Sequence, residues 1–220
     1  MIRAFLFDMD GTLLDTEILW VDAMDVFLAE CGISMSREEI IELVYGIASI
    51  DIFEELGRRY PRLAAMSFEE MVERFHPHFV RLRESRDVRI MSSIELLKRL
   101  AADYPVAIVS GSSTRHVTHG IEMMGIESHL AFFLAGEHYR SGKPDPECYL
   151  AAAHRLEMSP FDCLVFEDST AGVRAAKGAG MHCVALARPD RPTQDLTEAD
   201  WVLADLGAFS VKAYLERCRA

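Results

Sequence analysis

Ala4-Phe5-Leu6-Phe7 is a continuous apolar run that ends at an aspartate, and the next run of its kind does not come until Val106–Val109. Others follow at Phe132–Leu134, Leu164–Phe166, Cys183–Ala185 and, more faintly, Trp201–Leu203. Runs this short and this uniformly apolar read as strands buried on both faces. Helical spacing fills the gaps between the later runs. Ile94 and Leu97 share a face with Leu100 or Ala101, and Val117, Ile121 and Met124 share another. Ala171, Ala175, Ala176 and Ala179 predict a slim helix that ends at Gly180 and packs closely on a sheet. After Asp145-Pro146 a further helix is expected, with Asp145 as its N-cap and Pro146 in the first turn. Strands alternating with helices imply right-handed βαβ units around a parallel sheet.

Residues 17–86 follow a different rule. Apolar residues recur there at three- and four-residue steps, without a convincing strand. Ser36-x-x-Glu39 precedes Ile40, Leu43 and Val44, and Ser67-x-x-Glu70 precedes Met71, Val72 and Phe75. Each matches a capping box, in which serine and glutamate satisfy free N–H groups at a helix start. The expectation is therefore α/β: a Rossmann-like parallel-sheet core of residues 1–15 and 88–220, interrupted by an all-helical insert over 16–87. Arg188-Pro-Asp-Arg-Pro192 reads as a surface loop.

Charge and cysteine usage bound the partners. Acidic side chains outnumber basic ones 35 to 23, which argues against a nucleic-acid backbone as partner because phosphate contacts need clustered Lys and Arg. A small anionic substrate stays open, since a local site can be positive on an acidic protein. No apolar run approaches the roughly 18–20 residues that cross a bilayer, and the N-terminus turns acidic too early for a signal peptide. Cys31, Cys148, Cys163, Cys183 and Cys218 are odd in number and contain no Cys-x-x-Cys pair, so free thiols in a reducing cytoplasm are expected. His76-Pro77-His78 and His116-x-x-His119 lack a third ligand for zinc. Nothing in the chain demands more than a monomer.

The chemistry concentrates where strands end. Asp8 and Asp10 follow the first apolar run, at the strand end where open α/β sheets bind ligands, and strand alternation points them the same way. Gly11 lets the chain turn at once. Two carboxylates this close repel unless a cation or a shared proton lies between them. An exposed acidic turn or a calcium loop are the other readings, although Thr12 and the preceding strand fit a calcium loop poorly. Ser110-Gly111-Ser112 closes the Val106–Val109 run and opens a helix, where a hydroxyl, an N–H and a helix terminus suit a phosphate oxygen. Lys143 sits at the constrained turn Gly142-Lys-Pro-Asp145. Glu167 and Asp168 close the Leu164–Phe166 run, with Asp168 also readable as the N-cap of the alanine helix.

Taken in order, Asp8-x-Asp10-Gly11-Thr12, Ser110, Lys143-Pro144 and Glu167-Asp168-Ser169-x-x-Gly172 resemble the haloacid dehalogenase-like hydrolase superfamily, in its subgroup with a helical cap after the first motif. Within it the chain is similar to β-phosphoglucomutases and sugar-phosphate phosphatases. The Pro-Gly turn that usually follows the cap is replaced by Met91-Ser92-Ser93. The resemblance implies that Asp8 is the nucleophile and that Asp10 protonates the leaving alcohol and then activates water. It implies Mg2+ held by Asp8, the Asp10 carbonyl and Asp168, with Glu167 nearby. Lys143 would neutralise the transferring phosphoryl group, whose oxygens Ser110 and the Gly111 N–H would bind.

Asp10 favours an alcohol leaving group, because halide departs unprotonated. Residues 17–86 contain no lysine, which disfavours the phosphonate-cleaving relatives that take one from the cap. Trp20 stands where the mutases carry a histidine, and Gly46-Ile47-Ala48-Ser49 offers no arginine for a second phosphate. The expectation is thus a Mg2+-dependent phosphatase of a small phosphorylated metabolite, foremost a sugar phosphate, with Glu17, Trp20 and Ser49 setting selectivity. A phosphosugar mutase is the alternative. A noncatalytic binding protein on this fold is the third reading, against which Asp8, Asp10 and Lys143 all stand.

Overall fold

The computed structural model describes residues 1–45, 49–188 and 191–218, without the side chain of Ser49. Two compact units emerge, Met1–Leu14 with Arg89–Ala220, and Asp15–Val88. The first unit is a six-stranded parallel sheet. Its strands are β1 (Ala4–Phe7), β2 (Val106–Val109), β3 (Phe132–Leu134), β4 (Cys163–Glu167), β5 (His182–Leu186) and β6 (Trp201–Leu203), in the order β3-β2-β1-β4-β5-β6. This is the parallel α/β core that the apolar runs predict.

Strand β1 lies in the middle. Phe7 sits opposite Ile108 on one side and Phe166 on the other, so Asp8, Ser110 and Glu167 emerge at one edge of the sheet. Chain order reverses on either side of β1, which opens a crevice beyond the strand ends. Both faces of β1 are covered. Ala4 and Leu6 pack on small residues of the helices α8 (Glu147–Arg155) and α9 (Thr170–Gly178), namely Ala152, Ala153, Ala175 and Ala176. Phe5 and Phe7 face an aromatic cluster, with Phe7 stacked on Phe166 at 4.5 Å and Phe166 edge-on to Phe209 at 4.9 Å. Small side chains on one face let helices approach closely, and the rings fill the wider space on the other.

Two cap assignments need correction. Helix α8 starts at Glu147, and the Pro146 carbonyl accepts from Tyr149 and Leu150, so Pro146 rather than Asp145 holds the N-cap position. Asp145 Oδ1 still accepts the Glu147 N–H at 2.9 Å. At α9 the N-cap is Ser169, whose Oγ accepts from Gly172 at 3.0 Å, which leaves Asp168 available for other contacts.

Every regular element among the described residues of the second unit is a helix: α1 (Glu17–Glu30), α2 (Arg37–Val44), α3 (Ser49–Arg59), α4 (Pro61–Ala64) and α5 (Phe68–Ser85). Both expected capping boxes form, Ser36 with Glu39 and Ser67 with Glu70. Phe27, Phe53 and Phe75 make its aromatic core, and Asp22 is held by Arg37 at 2.8 Å and by Arg86. Helix α6 (Met91–Ala101) follows in the sheet unit, starting at the Met91-Ser-Ser turn, and α7 (Thr114–Met124) follows β2. No helix among the described residues is long and apolar enough to cross a membrane, and all five cysteines are free.

Candidate active site

The site grows from the turn after β1. Leu13 and Leu14 N–H groups both bond to the Met9 carbonyl, and Gly11 takes φ +92°, a conformation that glycine adopts without strain. Space demands glycine there too. A Cβ on Gly11 would lie 2.0 Å from Asp168 Oδ2, so the turn and the Asp168 carboxylate share one tight corner. Thr12 is fully buried and donates to Asp168 Oδ1 at 3.3 Å.

Lys143 stands at the centre. Its Nζ donates to Asp8 Oδ1 at 2.5 Å, to Glu167 Oε1 at 2.6 Å and to the Val109 carbonyl at 3.2 Å. Glu167 is saturated with donors. Besides Lys143 it accepts from Tyr149 OH at 2.8 Å, from the Asp168 and Ser169 N–H groups and from Ser169 Oγ. Gly172 keeps that carboxylate in place by having no side chain, since a Cβ there would fall 1.8 Å from Glu167 Oε1. Asp10 Oδ2 meanwhile accepts from Ser110 Oγ at 3.2 Å and Ser112 Oγ at 2.8 Å.

Charge in this corner is unbalanced. Burial pushes Asp8 well above the ordinary carboxylate range; Lys143 draws it back, but Glu167 and Asp10 add to the rise. For Glu167 burial acts in the same direction, yet Lys143 together with the hydrogen bonds from Tyr149 and Ser169 outweighs it and the net shift is downward. Burial opposes the charge on Lys143, but Asp8 and Glu167 hold it above its usual value. One cation thus serves several carboxylates. Oxygens of Asp8, Glu167 and Asp168 lie within 4.8 Å of one another, an all-oxygen set of the kind that hard divalent cations take. The surplus negative charge and the donor chemistry both fit Mg2+.

The family model for haloacid dehalogenase-like hydrolases matches residues 5–186, most of the chain. The chain belongs to that family. Among curated relatives, a probable pseudouridine-5'-phosphatase of Drosophila melanogaster is 32% identical over 94% of this chain and 91% of its own length. A protein of Bacillus subtilis named putative phosphatase YhcW is 30% identical, over 91% of this chain and 90% of its own. Among solved structures, CbbY from Rhodobacter sphaeroides in complex with phosphate superposes with a TM-score of 0.81 at 26% identity, covering 98% of this chain and all of that one.

In this hydrolase the sheet unit alone brings together Asp8, Asp10, Ser110, Lys143, Glu167 and Asp168, with Gly111 in the loop between Ser110 and Ser112. The other three sequence-selected residues belong to the helical unit. Trp20 lies on α1 and stacks on Phe75 at 4.5 Å, so it serves that unit's packing. Glu17 opens the same helix. The Ser49 side chain and Gly46–Ala48 fall outside the described residues. Tyr149 escapes a reading of the sequence because it looks like one more apolar residue on the buried face of α8. Ser112 carried a visible signal in the Ser110-Gly-Ser triplet.

Proposed function

We propose that this chain is a Mg2+-dependent phosphatase of small phosphorylated metabolites, sugar phosphates foremost, that works through an aspartyl phosphate. The observation that carries the reading is the Lys143 ammonium at 2.5 Å from Asp8, on the sheet edge where two serines hold Asp10. Asp8 Oδ attacks phosphorus and the bond from phosphorus to the ester oxygen breaks. Asp10 gives its proton to that departing oxygen. It then takes a proton from water, whose oxygen attacks phosphorus, releases inorganic phosphate and restores Asp8. Lys143 favours the ionised form of Asp8 against its burial and balances charge on the phosphoryl group, while Ser110 Oγ and the Gly111 N–H bind its oxygens.

Asp8, the Asp10 carbonyl and Asp168 would hold Mg2+, which supplies the positive charge that lets a phosphate dianion approach these carboxylates. Glu167, with all its hydrogen bonds taken up, supports Lys143 and the Asp168 backbone more than it reaches outward. Selectivity for the leaving group is assigned to the helical unit, through Glu17, Trp20 and Ser49. The five free cysteines fit a reducing compartment, and the cytoplasm is the proposed location.

The test is phosphate release with Mg2+ across sugar, polyol, sugar-acid and nucleotide monophosphates, with Asp8→Asn as control. Release from a sugar phosphate that falls about 10³-fold or more in the variant is the expected outcome. Release that survives Asp8→Asn overturns the nucleophile. Interconversion of hexose phosphates on priming with a bisphosphate, without net release, transfers the assignment to a mutase.

A further inference from the structure

The loop that follows β3 makes contacts that the chemistry above leaves unused. Tyr139 OH donates to the Ser110 carbonyl at 2.8 Å, and the Gly136 N–H donates to the Ser112 carbonyl at 2.9 Å. Glu137 accepts from the Thr114 N–H with both oxygens, at 3.1 and 2.9 Å, and from Thr114 Oγ1 at 3.0 Å. The braces on one loop therefore span the Ser110–Ser112 triplet and the first residue of α7. Fit is close as well: a Cβ on Gly136 would lie 2.7 Å from the Gly111 carbonyl oxygen. The bracing loop is itself fixed, because His138 Nδ1 accepts the Ala135 N–H at 2.9 Å.

A peptide group is planar and trans, so its carbonyl and its N–H point in opposite directions. The Ser110 carbonyl and the Gly111 N–H belong to one such plane. Holding the carbonyl fixes the direction of the N–H, and a glycine at position 111 would otherwise let that plane turn freely. Among the described residues, none accepts from the Gly111 N–H, whereas the next N–H, that of Ser112, is taken by Ser110 Oγ at 3.0 Å. Burial pushes the Tyr139 hydroxyl up to about 12, which keeps it a donor throughout the working range of pH.

We propose that Tyr139 is a positioning residue that aims the Gly111 N–H at the phosphoryl group by clamping the Ser110 carbonyl. The proposal rests on the phosphatase reading. Tyr139→Phe removes the hydroxyl and keeps the ring. An N–H that binds phosphate oxygens equally before and during reaction contributes to KM and not to kcat. The variant should therefore raise KM for the preferred ester by about three- to tenfold, the worth of one hydrogen bond, with kcat changed by less than about twofold. Inorganic phosphate, titrated calorimetrically with Mg2+ present, should lose affinity by the same factor. Gly136→Ala disturbs the same loop from its other side and should weaken both quantities as well.

A tyrosine that only stabilises the fold would lower the unfolding midpoint and leave KM and phosphate affinity alone. That result overturns the proposal, as does a Gly136→Ala variant that folds with both unchanged. A wild-type protein that neither releases nor binds phosphate strikes at the phosphatase reading itself, and Tyr139 falls with it. Wild-type turnover with an unaffected Tyr139→Phe variant removes the positioning role only.

Discussion

The two units arrange charge in opposite ways. In the sheet unit one cation is shared by two acids: the Lys143 side chain, 11% exposed, lies between Asp8 at 9% and Glu167 at 0%. In the helical unit one acid is shared by two cations: Asp22, 16% exposed, lies between Arg37 at 51% and Arg86 at 48%. Water screens the second triad, and its excess charge needs no further partner. The first is walled off from solvent, and its surplus of carboxylate persists at the expense of burial. A buried excess of one sign is relieved by a proton, as the raised Asp8 shows, or by a counter-charge that joins it, and the second is what a cation-binding site supplies. Location, more than the number of charges, separates the two.

The comparison breaks most visibly at Lys143. Lys143→Met leaves Asp8 and Glu167 facing each other without a cation. Turnover of every ester should fall by about 10²–10³-fold, and urea unfolding should show a loss of about 3–5 kcal/mol at neutral pH. Mild loss on both counts would mean that the carboxylates do not depend on the lysine. Trp20→Ala tests the helical unit at its aromatic core, where stacking on Phe75 suggests a loss of about 2–3 kcal/mol. If Trp20 also reads the substrate, the variant reorders the KM values of the ester panel while Lys143→Met lowers all members alike. An unchanged order leaves Trp20 a packing residue.

The smallest effect belongs to the exposed triad. Burial pushes Asp22 up, but hydrogen bonds from Arg37 and Arg86 outweigh it and its net shift is downward. A carboxylate lowered on folding contributes stability above its unfolded value, near about 4, and loses it as pH falls through the folded value. Asp22→Asn should thus cost about 1 kcal/mol at pH 7. The gap to wild type should close below about pH 4, with phosphate release at pH 7 unaltered. A gap that widens in acid reverses the sign of the argument.

Much of this was legible in the chain itself, for definable reasons. A central parallel strand is covered on both faces, so β1, β2 and β4 announce themselves as unbroken apolar runs. Strand β6 at the sheet edge keeps Val202 43% exposed, and its run is correspondingly faint. Three of the four motifs were legible because they fall at strand ends, where local sequence and active-site position coincide, and Lys143 because it sits in the constrained turn that leads into α8. What local sequence cannot display is an approach made in three dimensions. Tyr139 lies 29 residues from the Ser110 carbonyl that it holds, and Tyr149 lies 18 residues from Glu167. Neither has a spacing that marks it. The shift of one residue at the start of α8 has a local origin, in the turn that joins the Asp145 N–H to the Gly142 carbonyl and carries the chain past Asp145 before the helix begins.

Where the chain leaves the sheet unit and returns to it, the backbone is zipped. Leu14 forms an antiparallel bridge with Arg89, the Ile90 N–H bonds to the Leu13 carbonyl, and one residue further out Asp15 bonds to Val88 at 2.7 Å. For the assembling sheet, this matters as polymer statistics. An unstructured excursion of this length between β1 and the rest would carry a closure entropy that grows with the logarithm of its length. Once residues 15–88 have folded with their ends side by side, the excursion behaves as a tight hairpin, a saving of about 2–3 kcal/mol. A lineage carrying such a neck can exchange what lies beyond it, for a shorter or longer module, with little change in how readily β1 finds its neighbours.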